Sequence, residues 1–277
     1  MQAVTADSFA TPTLLSGMHN LQSLLPVTFE ARRDVTLNTH LNIFPNEAFS
    51  EFPKLRYFGL GIKGCYNADD TILSSAYNPR RVNMNLHQLI PLRCVPVDED
   101  LSDSERALYR MRQRKVVGGE ECFLYFLKLL EIEDQVRFKR INPTNGKAEP
   151  YELNPEYLQP SPVKPTADTL IDATDQSIVA YVNASLEATG AEVLEYITRA
   201  FDGDTRYARI SEIGFFTGVD KVVNSTTGQG VAMSYTESIY TMLYEHITWT
   251  GTPLTRIASR ISEQIEVRDG SVSIATA

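Results

Sequence analysis

Apolar and polar positions change their period several times along this chain, and each change marks an element. Val35 to Phe44 (VTLNTHLNIF) and Leu55 to Ile62 (LRYFGLGI) are rich in β-branched and aromatic residues and are bounded by Asp34, Pro45, Pro53 and Gly64, which predicts two strands. Asn85 to Val97 is apolar and extended, but Pro91 and Pro96 lack the N–H that a central ladder needs, so it belongs at a sheet edge or in a structured loop. Ser102 with Glu105 forms an S-x-x-E capping box, and the basic run Arg106, Arg110, Arg112, Arg114 and Lys115 follows before Gly118-Gly119. That order predicts a helix whose charges match its dipole. Cys122 to Ile132 with Val136 to Ile141 predicts a long hairpin, and Asn142 to Gly146 a turn into Lys147 to Leu153.

Further on, Ser177 to Leu186 alternates with period two and predicts a strand. Thr189 and Glu192 make a second capping box, ahead of a helical face of Val193, Leu194, Ile197, Ala200 and Phe201 closed by Asp202-Gly203. Ile210 to Thr217 predicts a strand, and Asn224 to Gly230 a loop. Ser234 and Glu237 make a third capping box, with Ile239, Tyr240, Leu243 and Ile247 at helical spacing behind it. Gln264 to Ile274 predicts a hairpin through Asp269-Gly270.

Four prolines, Pro155, Pro160, Pro162 and Pro165, stiffen residues 154–166 into a spacer and divide the chain. The expected class is α+β. An extended N-terminal arm (1–30) precedes a β-rich domain (31–153) with a long hairpin and one short helix. The Pro-rich linker (154–166) then leads to a smaller α+β domain (167–277).

Charge sharpens that division. The net charge is −9, and residues 166–277 carry 7 Lys and Arg against 15 Asp and Glu. An acidic half repels phosphate, so sequence-specific nucleic-acid binding is not expected, and the basic run 106–115 is the candidate docking face for an acidic partner. Its local acids, Asp98 to Glu105, favour a plain solvated helix as the competing reading. No apolar run approaches the roughly 20 residues of a membrane span, and the first 25 residues lack the basic start of a signal peptide, which predicts synthesis in a cytoplasm.

Candidate chemistry is sparse. Gly59 to Gly64 matches GxGxxG after a strand, but Cys-Tyr-Asn-Ala-Asp-Asp follows where a helix must open, so close backbone approach or a bulge is the better reading. His19, His40, His87 and His246 show no metal-ligand spacing, and His246 is placed at a helix C-terminus. Cys65, Cys94 and Cys122 fit neither a disulfide framework nor a zinc knuckle, and Cys94 and Cys122 read as small buried hydrophobes. No catalytic, cofactor-binding or metal-binding residue is expected.

The stretch Phe58 to Asp70 (FGLGIKGCYNADD), followed by Ala76 to Pro79 and Leu89 to Pro96, resembles structural proteins of large bacteriophages with contractile tails, the myovirus type. Ser211 to Gly214, Thr217 to Lys221 and Tyr235 to Glu237 share that resemblance. It implies a non-enzymatic virion component, foremost a neck or collar protein that joins head and tail as a homo-oligomeric ring and contacts other virion proteins. The alternative is a baseplate or fibre-associated binding module, for which the aromatics of Cys122 to Ile132 would offer a stacking surface to a glycan.

Overall fold

The computed structural model of the chain describes residues 10–29, 31–66, 75–76, 80–142, 145–155, 178–268 and 271–274, and strands dominate them. In the first half these are β1 (Thr11–Pro12), α1 (Leu14–Leu24), α2 (Leu37–Leu41), β2 (Lys54–Gly61), β3 (Cys65–Tyr66), β4 (Ser75–Ala76), β5 (Leu89–Ile90), β6 (Arg93–Pro96), α3 (Asp103–Arg106), β7 (Tyr109–Val117), β8 (Glu120–Leu129), β9 (Glu131–Ile132), β10 (Arg137–Ile141) and β11 (Ala148–Pro150). The second half adds β12 (Ile178–Thr189), α4 (Gly190–Ala200), β13 (Arg209–Thr226), β14 (Ala232–Pro253), β15 (Arg260–Arg268) and β16 (Ser271–Ile274).

The larger antiparallel sheet runs β1-β14-β13-β2-β8-β6, with β5 on β2 and β7 on β8. The smaller runs β11-β10-β12-β15-β16, with β9 on β12. Both draw strands from either side of the expected domain boundary: Phe215 of β13 lies opposite Phe58 of β2, and Tyr181 of β12 opposite Arg137 of β10. The division into separate 31–153 and 167–277 domains is therefore corrected. One apolar cluster joins Phe58, Tyr125 and Phe215 to Leu186, Ile197 and Ile265, so neither half buries its own core without the other. Most of the linker, from residue 156, lies outside the described residues.

The β-dominated α+β class holds, and the elements at Leu55–Ile62, Ile178–Leu186, Gly190–Ala200 and Ile210–Thr217 fall where periodicity and capping place them. In α4 both halves of the Thr189/Glu192 capping box form. The proline-bearing β6 ends its sheet path, and β10 pairs with β11; of the turn expected at Asn142 to Gly146, residues 143–144 lie outside the described residues.

Five assignments are overturned. Residues 33–41 are helical, because Thr36 caps α2 by accepting from the Thr39 N–H, and Asn38 is bound on both ends of its amide by Ile43, Ser238 and Thr241. Those contacts satisfy polar groups that a strand would leave facing apolar neighbours. The Ser102/Glu105 box does form, but α3 is one turn, and the basic run beyond Arg106 is strand β7. Gly118 and Gly119, at φ +60° and +85°, make the two-residue turn that pairs β7 with β8, so the long hairpin joins 109–117 to 120–129 and not 122–132 to 136–141. The third capping box does not form. Residues 232–253 are one continuous strand, since Thr236, Ile239, Tyr240, Thr241, Thr248 and Trp249 suit a half-buried sheet and β13 supplies the whole ladder. Finally, the N-terminal arm is not extended over residues 14–24, where α1 forms.

Candidate functional site

Three of the five basic candidates turn inward. Arg106 and Arg112 flank Asp100, with Arg112 Nη2 2.8 Å from its carboxylate, and Tyr125 donates to the same group at 2.6 Å. Arg110 is 4% exposed and holds Asp220 through two nitrogens at 2.7 and 3.2 Å, joined there by Tyr57 at 2.7 Å. Burial alone would raise the Asp220 carboxyl, but the hydrogen bond and charge of Arg110 outweigh it and hold the group below its usual range. These arginines are internal struts, and the docking-face reading is corrected for Arg106, Arg110 and Arg112. Only Arg114, whose Nη2 lies 2.6 Å from Glu121, and Lys115 stay exposed.

Arg112 and Arg114 nevertheless meet at a polar cleft of about 430 Å³, walled on its other sides by Asn42 and Phe44 after α2 and by Ser225 and Tyr235 of the β13–β14 hairpin. Phe123 forms part of the lining, with the Arg112 guanidinium 3.5 Å from its ring centre, a cation–π stack that fixes the floor. Tyr235 lies 5.4 Å away on the same cation. Four separate segments build this cleft, which is why no local motif announces it. The other aromatics of β8, Tyr125 and Phe126, are buried in the core, so the proposed glycan-stacking surface does not exist there.

Helix α1 carries apolar side chains on both of its faces. Its inner face mixes polar anchors with apolar packing: Thr13 donates to the Leu243 carbonyl at 2.9 Å, Asn20 accepts from the Tyr244 hydroxyl at 2.8 Å, His19 lies 4.5 Å from the Phe52 ring, and Leu15 and Met18 pack on the cluster of Val223, Ile239, Tyr240 and Met242. The outer face carries Leu14, Leu21, Leu24 and Leu25, of which Leu21 is 57% and Leu24 79% exposed. Residues 8–29 contain no Asp, Glu, Lys or Arg, which is the sequence signal that low periodicity concealed.

A cluster of buried ionisable groups lies on β13 and β14. Glu212 accepts from the backbone amides of His87 and Gln88 at 3.0 and 3.2 Å and contacts the His87 ring. It also explains the glycines: a Cβ on Gly61 would stand 2.4 Å from the Glu212 carboxylate and one on Gly64 2.3 Å from the Ser211 carbonyl. Gly59 to Gly64 thus allow close approach of the β13 backbone and side chains. His246 sits in mid-strand, fully buried, and not at a helix end. Among the described residues no group of three His, Cys, Asp or Glu is placed to hold a metal. Cys94 and Cys122 are buried thiols, and burial pushes Cys94 up to about 12. No helix among the described residues is long and apolar enough to cross a membrane.

The chain matches the Family of unknown function (DUF7208) over residues 1–267, and it belongs to that family. No curated protein and no solved structure matches it.

Proposed function

We propose that this chain is a non-enzymatic structural subunit of a contractile-tailed bacteriophage virion, a neck or collar component that joins head and tail in a ring of like subunits. The observation that carries the reading is the outward apolar face of α1. A helix that docks through Thr13, His19, Asn20, Leu15 and Met18 still turns Leu14, Leu21 and Leu24, with Leu25 at its C-cap, to solvent, an apolar face that a neighbouring protein completes. The resemblance of Phe58 to Asp70 and Ser211 to Lys221 to virion proteins supplies the setting. The internal arginine struts and two-sheet core supply rigidity suited to such a subunit.

Point substitutions test this better than removal of residues 1–30, which would also strip Thr13 and His19 from their places against β14 and Phe52. Leu21→Glu with Leu24→Glu is expected to weaken assembly by tenfold or more, about 1.4 kcal/mol, with the melting temperature unchanged. Sedimentation velocity of the variant over a hundredfold concentration range reads the result. Assembly equal to that of the unaltered chain would remove the observation on which the proposal stands.

A further inference from the structure

The cleft between β7 and the β13–β14 hairpin has a complement on the same chain. Residues 131–137 are all exposed and pair a dense acidic run, Glu131, Glu133 and Asp134, with two outward apolar side chains, Ile132 and Val136. Their scaffold is β12 at both ends: β9 pairs with it at Ala184 and Ser185, the Glu133 amide donates to the Asn183 carbonyl at 2.9 Å, and Arg137 opens β10 opposite Tyr181. Glu133 makes an exposed ion pair with Arg137 at 3.3 Å, and no partner to the Asp134 carboxylate is found among the described residues. None of residues 131–137 lines the cleft, so the two patches are different surfaces of the chain.

We propose that the loop Glu131–Val136 of one copy docks into the Arg112/Arg114 cleft of the next, as a head-to-tail contact within the ring; this rests on the subunit reading above. Charge and shape carry it. Arg114 is held only by the half-exposed Glu121, a surface pair worth about 0.2–1 kcal/mol that an incoming carboxylate exchanges at little cost. Phe44 and Tyr235 give the cleft apolar wall, and about 430 Å³ accommodates an apolar side chain such as Val136 together with a carboxylate. Because unlike patches meet, the contact propagates from copy to copy, into a ring where its rotation closes and a filament where it does not, whereas a like-with-like contact would stop at a dimer.

The test uses the full chain and two surface variants, Arg114→Glu in the cleft and Asp134→Lys with Val136→Ser in the loop. Each alone is expected to be at least tenfold weaker in assembly by sedimentation velocity, with unchanged melting temperature. In an equimolar mixture one contact joins an intact cleft to an intact loop and the next sets the Arg114→Glu cleft against the Asp134→Lys loop, an ion pair with its signs reversed, so the mixture regains larger species than either variant alone. A third chain carrying Arg114→Glu and Asp134→Lys together restores the ion pair with its signs reversed and regains higher species. If the unaltered chain assembles and the variants assemble equally well, this contact is wrong and the ring reading stands. If the unaltered chain stays monomeric at every concentration, the self-assembly reading falls and this contact with it.

Discussion

Replacing Glu237 with alanine is expected to destabilise the protein by about 3–5 kcal/mol, because three buried amides lose their acceptor. Its carboxylate is fully buried and accepts from the amides of Arg112 and Ser238 at 2.8 Å each and from that of Met111. Met111 sits at φ +61° between Arg110 and Arg112, whose partners on β8 keep one unshifted register, and the amides of Met111 and Arg112 both reach the Glu237 carboxylate on β14. One side chain therefore does the work of a ladder between two strands that do not pair. Alanine leaves three amides without acceptors in an apolar setting, at about 1–3 kcal/mol each before relaxation. Glutamine keeps one carbonyl oxygen and should lose less. Urea unfolding followed by the fluorescence of Trp249, the sole tryptophan, measures both. A loss below about 1 kcal/mol for alanine would mean that β7 is held to β14 by packing alone, with Met111 and Ile239 sufficient.

Glu237 also shows why part of this fold was illegible in the sequence. Ser234 and Glu237 have the spacing of a capping box, and the apolar positions that follow have helical spacing, so every local signal agreed on a helix. The partner that overrules them is β7, more than a hundred residues earlier. The same holds for the arginines of β7: read in isolation they are a solvated basic face, whereas Asp100 and Asp220 draw them into the interior. Elements whose stability is local were readable. The Thr189 box and the apolar face of α4 are complete within twelve residues. Of the candidate surfaces, Arg114 and Lys115 were visible from charge alone, but Asn42, Phe44 and Tyr235 come from segments that only the fold brings beside them. The α1 face left a compositional trace, the absence of charge over residues 8–29, that periodicity analysis does not weigh.

Adjacent residues of β14 should give opposite pH dependences. Glu245 is fully buried, accepts from the Val272 amide at 2.6 Å with one oxygen, and among the described residues has no hydrogen-bond partner for the other. Burial pushes it up to about 7, against the pull of that amide. A carboxyl whose folded value lies above its unfolded value of about 4.5 keeps its proton longer in the native state. Its contribution is whole below about 4.5 and is lost as pH rises to about 7, roughly 3 kcal/mol in all. Relative to the unaltered chain, Glu245→Gln should therefore gain roughly 3 kcal/mol between pH 4 and 8. His246 behaves the other way: burial first, then the nearby His87, lower it to about 4, and among the described residues neither ring nitrogen has a hydrogen-bond partner. The native state refuses a proton that the unfolded chain accepts at about 6.5, so stability is whole above that pH and falls toward 4. His246→Leu should gain on the unaltered chain as pH falls from 7 to 4, by a similar amount. Denaturant midpoints at four pH values, compared pairwise with the unaltered chain, read both slopes, and a flat difference for either variant would mean that water reaches that side chain. Since the two residues lie on opposite faces of one strand, their slopes should add in the double variant, because each answers to its own side of the sheet.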